Sequence, residues 1–278
     1  MTKFDIEGLI LAAGRSSRFH QLELSFSKCL LPLKDSNILN YIISGMVKAR
    51  IYRINIVTNG YTIDLQKEQL SKANLRKFGI DPDNLEINLI ENNFPERENG
   101  YSLYLGLLNS RAKYLLMSMA DHVFSKNIFN RLKKKYRGQD ILLATDPMKI
   151  KGYYDLDDAT KVRGFKLTIQ EIGKTIPNYN RIDMGAFIIK KSTILKECKK
   201  LESSRYKFGV SDVVKNAIIS ELRAEYLDFS NVIWVDIDDS NIYNNVLELF
   251  SSTSELYPFG VNPDENRQYI INENLYGD

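Results

Sequence analysis

LILAAGRSSRF, residues 9–19, decides the fold. Its first half is a short apolar run, EGLILA, that ends at Ala13-Gly14. A run of this length closed by small residues reads as a buried strand over 7–12, leaving a sheet through a tight turn. The second half opens a polar loop that continues to Lys28. Ala12, Ala13 and Gly14 let the backbone approach a ligand, and successive amides after a strand can form an anion-binding nest. Arg15 and Ser16 begin that loop. Ser16, Ser17, Arg18 and Lys28 add hydroxyls and two cations suited to a polyphosphate. The same residues also read as a strand, a turn and a solvated basic loop, and one glycine does not separate the two. The loop is not a P-loop, because no GK[ST] follows a glycine pair. It is not a dinucleotide fingerprint either, because Ser16 stands where a second glycine is needed.

Working outward, strand and helix signals alternate. RINIVT (53–58) reads as a strand ending at the turn dipeptide Asn59-Gly60; 85–91, 114–119 and 140–145 read as further strands. Between them, Ile38, Leu39, Ile42, Ile43, Met46 and Val47 recur at helical spacing, with Asp35, Ser36 or Asn37 as cap. A charged helix is expected over 63–78, and others over 101–108 and 128–136. Such alternation predicts right-handed crossovers and a mostly parallel sheet. Ligands of open α/β sheets sit at the carboxyl ends of the strands, where Gly14, Asn59-Gly60 and Asp121 all fall. After Asp146-Pro147 the pattern changes: 159–172 and 181–189 read as strands with no long helix between them. Helices return over 192–201 and 211–221, strands over 224–229 and 232–235, and a last helix over 240–250. The segment 251–278 is rich in Asn, Glu and Tyr and carries no assignable fold. The expected division is one domain over 1–250 and a tail over 251–278.

Composition narrows the chemistry. With 38 Lys+Arg against 35 Asp+Glu, the net charge of +3 is too small to argue for nucleic acid or an anionic membrane. No apolar stretch approaches the roughly 20 residues that span a bilayer, and MTKFDIEG does not resemble a secretory signal. The expectation is a soluble, cytoplasmic protein. Two cysteines and two histidines are too few for a disulfide framework or a His-rich zinc site. The work falls to Asp, Lys, Arg, Ser and backbone amides. Asp121 in MSMADHVFS directly follows a strand, a position suited to Mg²⁺, which bridges carboxylates to phosphates. VIWVDIDD puts Asp236, Asp238 and Asp239 after another apolar run. Each Asp alone reads as well as a helix cap; together with Arg18 and Lys28 they point to a metal–nucleotide site. His122 either orients Asp121 or touches phosphate, or makes a purely structural hydrogen bond.

LAAGRSSRF…SK resembles the LAAGxGxRL…PK signature of the sugar-phosphate nucleotidyltransferases. NNFPERENGYSLYLGL, MSMADHVFS, DATKVRGFKLTIQEIGKTI, NRIDMGAFII and WVDIDD resemble, in the same order, segments of the CTP:inositol-1-phosphate cytidylyltransferases, over about 7–250. Bacterial phosphocholine cytidylyltransferases share the plan. Ser27 replaces the usual Pro before the lysine, and Ala120 a commoner Gly before the Asp; the charged positions are intact.

The resemblance implies an α/β, Rossmann-like nucleotidyltransferase fold with a mostly parallel central sheet and a small acceptor-binding subregion. It implies Mg²⁺-dependent transfer of CMP from CTP to a phosphorylated polyol, inositol 1-phosphate, with release of pyrophosphate. Phosphocholine, a phosphonate or a sugar phosphate is the alternative acceptor, and a catalytically inactive nucleotide-binding regulator the alternative of another class. Arg18 and Lys28 would hold the triphosphate. Leu11, Ala12, Ala13 and Gly14, with Arg15, Ser16, Asn99 and Gly100, would bind the nucleotide. Asp121 and Asp236 would carry the metal, with Asp238 a further ligand, and Lys174 and Asp183 would meet the acceptor. Gly100 is expected to let the backbone approach the base, with Asn99 facing the base or capping the helix that follows. The expected partners are CTP, the acceptor, a second copy in a homodimer and a separate membrane CDP-alcohol phosphatidyltransferase downstream.

Overall fold

The computed structural model describes residues 5–14, 27–34, 36–125, 127–148 and 154–252. In chain order the strands are β1 (Ile6–Ala12), β2 (Pro32–Leu33), β3 (Ser36–Asn37), β4 (Arg53–Asn59), β5 (Glu86–Asn92), β6 (Tyr114–Met119), β7 (His122–Phe124), β8 (Ile141–Asp146), β9 (Lys161–Phe165), β10 (Thr168–Gly173), β11 (Arg181–Lys190), β12 (Ala224–Asp228) and β13 (Trp234–Asp236). The helices are α1 (Ile38–Lys48), α2 (Ile63–Gln69), α3 (Lys72–Lys77), α4 (Asn99–Asn109), α5 (Ile128–Lys135), α6 (Lys191–Ser204), α7 (Val210–Ile219) and α8 (Ser240–Ser252).

Nine strands form one sheet in the order β5-β4-β1-β6-β11-β8-β12-β10-β9. β5, β4, β1 and β6 are mutually parallel. β11 runs against both β6 and β8, so β8 and its parallel neighbour β12 point the same way as β1. The fold is therefore α/β and Rossmann-like, with a predominantly co-directional sheet interrupted by β11 and closed at one edge by the antiparallel β9–β10 hairpin. The strands and polar turns expected over 159–172 take the form of this hairpin, two strands joined by one turn. Lys166 and Leu167 both adopt positive φ (46° and 69°), which turns the chain back on itself. The helix expected over 63–78 is likewise two, because Ser71 starts a new helix by accepting from Asn74 N.

The apolar runs are continuous because both faces of the sheet are covered. Along β1, Leu9, Leu11 and Ala13 belong to the core under α4, α6 and α7, while Ile10 and Ala12 belong to the core under α1 and α5. β11 alternates in the same way, Phe187 and Ile189 against Ala186 and Ile188. Two cores thus clamp the central strands, and truncating fully buried Leu9 to Ala is expected to cost about 2–5 kcal/mol. Asn37 caps α1, its side chain accepting from Asn40 N at 2.9 Å. Among the described residues no helix is long and apolar enough to cross a membrane.

Candidate active site

β1 ends at Ala12, where Asn59 at the end of the neighbouring β4 takes over. Its Nδ2 donates to the carbonyls of Ala13 (3.2 Å) and Gly14 (3.4 Å). Its Oδ1 accepts from the backbone of Tyr61 and Thr62. The Asn59-Gly60 turn therefore serves the site as a brace for the first loop. On the other side, Ala120 N donates to Leu11 O, tying the ends of β1 and β6 together. Arg15, Ser16 and Arg18 lie outside the described residues.

Asp121 sits between β6 and the short ribbon of β7 and β13. Antiparallel pairing sets Asp236 opposite His122, and Ile237 N donates to Asp121 O at 3.0 Å. This register brings together carboxylates that sequence separates widely. Ligand atoms of Asp121, His122 and Asp236 all lie within 4.8 Å of one another. That is close enough for one ion with metal–oxygen bonds of about 2.1 Å. Lys28 enters from a short 3₁₀ turn (Lys28–Leu30), anchored by buried Cys29. Its Nζ lies 2.9 Å from Asp121 Oδ2 and 3.3 Å from Asp238 Oδ1. Asp238 thus faces the lysine, outside the three-residue ligand cluster.

His122 donates from Nδ1 to Asp121 Oδ1 (2.9 Å) and lies 3.7 Å from Asp236 Oδ1. Its ring stacks on Trp234 at 5.6 Å, and Trp234 stacks on Tyr154 at 4.6 Å. The Trp234 Nε1–H donates to buried Asp146 at 3.0 Å. These contacts fix how the His122 ring and the Asp121 carboxylate lie relative to one another. Sequence reasoning missed Trp234 and Asp146, because a tryptophan in an apolar run and an aspartate at a strand end carry no sign of their partners. Gly185 completes the pocket. It has φ +67°, and a Cβ there would meet His122 Nε2 at 2.8 Å, so a side chain would be both strained and obstructed.

The charges shape one another. Burial would raise Asp121, yet the Lys28 ammonium and the His122 imidazole hold it well below the usual carboxylate range. Burial also opposes the Lys28 charge, but Asp121 and Asp238 hold its ammonium above the ordinary lysine range. Burial pushes Asp236 up to about 7, against the pull of His122. Burial opposes a charge on His122, yet Asp236 and Asp121 draw it up to about 9. Asp183, which accepts from Gly185 N at 2.7 Å, is pushed by burial to about 6.

All this lies in one cleft of about 780 Å³. It runs from Leu11, Ala12, Ala13 and Gly14, past Lys28 and the acidic cluster, to Asp183 and Lys174. Lys174 pairs with Asp158 on the rim. Asn99 lines the cleft, but its Oδ1 accepts from Val210 N (2.8 Å), the first residue of α7. It therefore does not cap α4, whose cap position, Glu98, makes no side-chain bond. The expectation for Gly100 is also corrected. Its N donates to Phe208 O, and a Cβ would meet that oxygen and the Phe208 ring at 2.5 Å. Its bareness serves the packing of Phe208, not a ligand. Sequence reading also overlooked the first turn of α7, whose Ser211 and Asp212 line the cleft with Lys215.

A parallel strand end running into Ala13 and Gly14, a lysine–carboxylate cluster and a second lysine share one cleft, the candidate active site of a nucleotidyltransferase. The MobA-like NTP transferase domain profile matches residues 8–155, just over half of the chain, and the chain belongs to that family. The chain is 28% identical over 230 residues to the bifunctional IPC transferase and DIPP synthase of Aquifex aeolicus, covering 83% of this chain and 48% of that protein. It thus spans about half the length of that relative. It is 25% identical to the CTP:phosphoglutamine cytidylyltransferase of Campylobacter jejuni, over 64% of this chain and 69% of that one. Its fold superposes with a TM-score of 0.76 on the inositol-1-phosphate CTP transferase of T. maritima, at 23% identity, covering 90% and 97% of the two chains.

Proposed function

We propose that this nucleotidyltransferase transfers CMP from CTP to a phosphorylated polyol, inositol 1-phosphate, releasing pyrophosphate. The observation that carries the reading is the single cleft joining the end of β1, the Lys28–Asp121–Asp236 cluster and Lys174. CTP is favoured because relatives with different acceptors, the T. maritima and C. jejuni proteins, both carry it in their names. The C. jejuni likeness also favours a second reading, in which CTP is kept and the acceptor is another phosphorylated small molecule.

The chemistry needs no side-chain nucleophile, since the acceptor's phosphate is already an anion. Its oxygen attacks the α-phosphorus in line, and the bond to the β-phosphate oxygen breaks. Positioning and charge neutralisation supply the rate. Leu11 to Gly14 at the end of β1, together with Arg15, Ser16 and Asn99, hold the nucleotide. Arg18 and Lys28 hold the triphosphate and offset the charge that grows on the leaving pyrophosphate. Lys174 and Asp183 orient the acceptor's phosphate and hydroxyls.

The donor set fits a divalent ion. Asp236 Oδ1 is buried without a hydrogen-bond partner, and a carboxylate-rich cluster suits Mg²⁺ or Mn²⁺. Asp121 and Asp236 would hold Mg²⁺, with Asp238 beside them. Bound there, it neutralises charge on phosphate oxygens. The CDP-polyol product suits phospholipid synthesis in the cytoplasm, where a membrane CDP-alcohol phosphatidyltransferase activity would consume it. A pyrophosphate-release screen of four nucleoside triphosphates against phosphorylated alcohols tests the reading. Turnover is expected with CTP and inositol 1-phosphate. Equal use of UTP or a purine nucleotide overturns the cytidylyl assignment.

A further inference from the structure

Lys28 and a divalent ion have claims on the same oxygens. Asp121 Oδ2 is held by Lys28 Nζ at 2.9 Å, and Asp121 Oδ1 by His122 Nδ1 at 2.9 Å. Both oxygens of the central carboxylate are thus engaged by donors within this chain. Asp238 Oδ1 is drawn to the same ammonium at 3.3 Å across 210 positions of sequence. Only Asp236 Oδ1 in the ligand cluster is buried and without a hydrogen-bond partner. A metal ion arriving alone would have to displace an ammonium whose side chain is only 15% exposed. Otherwise it would sit beside that ammonium in surroundings where like charges repel strongly. A triphosphate changes the balance, because it offers Lys28 several anionic oxygens in exchange for Asp121.

We propose that Lys28 is the resident cation of the carboxylate cluster, and that a divalent ion takes its place when a triphosphate draws the ammonium away. Lys28 then does two things in turn. It neutralises Asp121 and Asp238 until nucleotide arrives, and it afterwards neutralises the nucleotide while the carboxylates pass to the ion. Metal and nucleotide binding are therefore coupled positively, and by linkage each strengthens the other by the same factor. The second half of this proposal rests on the nucleotidyl-transfer reading of the cleft; the first half does not.

The test is Mn²⁺ binding to the full chain, followed by the electron paramagnetic resonance signal of the free ion, with no nucleotide present. Wild type is expected to bind Mn²⁺ weakly. Lys28→Met removes the charge and keeps the length of the side chain, and it should tighten Mn²⁺ binding by about tenfold or more. Asp121→Asn in the same background should erase that gain, and Lys28→Arg should leave binding weak. If Lys28→Met does not fold, judged by circular dichroism, Lys28→Gln carries the same expectation. Unchanged or weaker Mn²⁺ binding in the folded neutral variant overturns the proposal. Adding α,β-methylene CTP to wild type should tighten Mn²⁺ binding by at least tenfold over that of the analogue in solution. No tightening with this analogue, but tightening with the corresponding UTP or ATP analogue, would overturn the cytidylyl reading and leave the lysine exchange standing. No tightening with any triphosphate analogue would overturn the exchange.

Discussion

Two lysines mark the two ends of the cleft, and they sit in opposite physical settings. Lys28, on the floor, has a side chain 15% exposed and faces Asp121 and Asp238. Lys174, on the rim after β10, is 54% exposed and pairs with Asp158. A largely buried ion cluster is a costly arrangement, because each charge gives up hydration that its partners only partly restore. An exposed pair costs and contributes little, about 0–1 kcal/mol. The floor keeps its charges at the expense of stability, held against one another where a substrate's charge would meet them. The rim can shift its partners to suit a substrate. On the proposed function, chemistry falls to the floor and acceptor recognition to the rim.

The largest effect should come from Asp121→Asn. It keeps the shape of the side chain and removes the charge that Lys28, His122 and a metal all face. Turnover is expected to fall by about a thousandfold or more, the scale of losing several kcal/mol of charge stabilisation. Circular dichroism should show an intact fold. Residual activity within tenfold of wild type would break the assignment of chemistry to the floor.

Lys28→Ala comes next. Charge on the leaving pyrophosphate grows in the transition state, so kcat should fall by about a hundredfold while KM for CTP rises less. A rise in KM with kcat unchanged would mean that Lys28 binds ground and transition states equally. The contrast with Lys174 would then dissolve.

A smaller effect should appear in the pH dependence of stability. The His122 imidazole is raised from 6.5 to about 9 in the folded chain by Asp236 and Asp121, against burial. A folded-state pKa above the unfolded one means that the folded chain binds the extra proton between these values. The stability this contributes is fully present below about pH 6.5 and is lost as pH rises through about 9. Thermal melting of the metal-free chain from pH 6 to 10 should show that decline. His122→Gln should flatten it; an equal slope in the variant would remove His122 from the electrostatics of the floor.

The smallest effect on the fold, and the most selective on function, belongs to Lys174→Ala. Stability should stay within about 0.5 kcal/mol of wild type, as expected for an exposed pair. KM for the acceptor should rise about tenfold or more while KM for CTP stays put. Initial-rate kinetics with each substrate varied separately would show this. A matching rise for CTP would place Lys174 with the nucleotide and merge the two ends of the cleft.

Much of this was legible in one dimension. Apolar runs of strand length, separated by helical periodicity, identify β1, β4, β6 and β8, because strands buried on both faces are largely apolar. The rule that ligands gather at carboxyl strand ends pointed to Gly14 and Asp121 before any coordinates. Side-chain chemistry singled out Lys28 and Asp236. Three things depended on contacts that local sequence does not encode. β11 slots antiparallel between β6 and β8, a placement that rests on pairing with strands distant in sequence. The β7–β13 ribbon sets Asp236 opposite His122, so the Asp121–His122–Asp236 cluster rests on a strand register between distant segments. Gly100 looked like a ligand-facing glycine, but its space is filled by Phe208, and the Asn99 side-chain oxygen is taken by the backbone of α7. Periodicity reports which face of an element is buried. What covers that face, and which distant charge meets a given carboxylate, is settled only when the chain closes on itself.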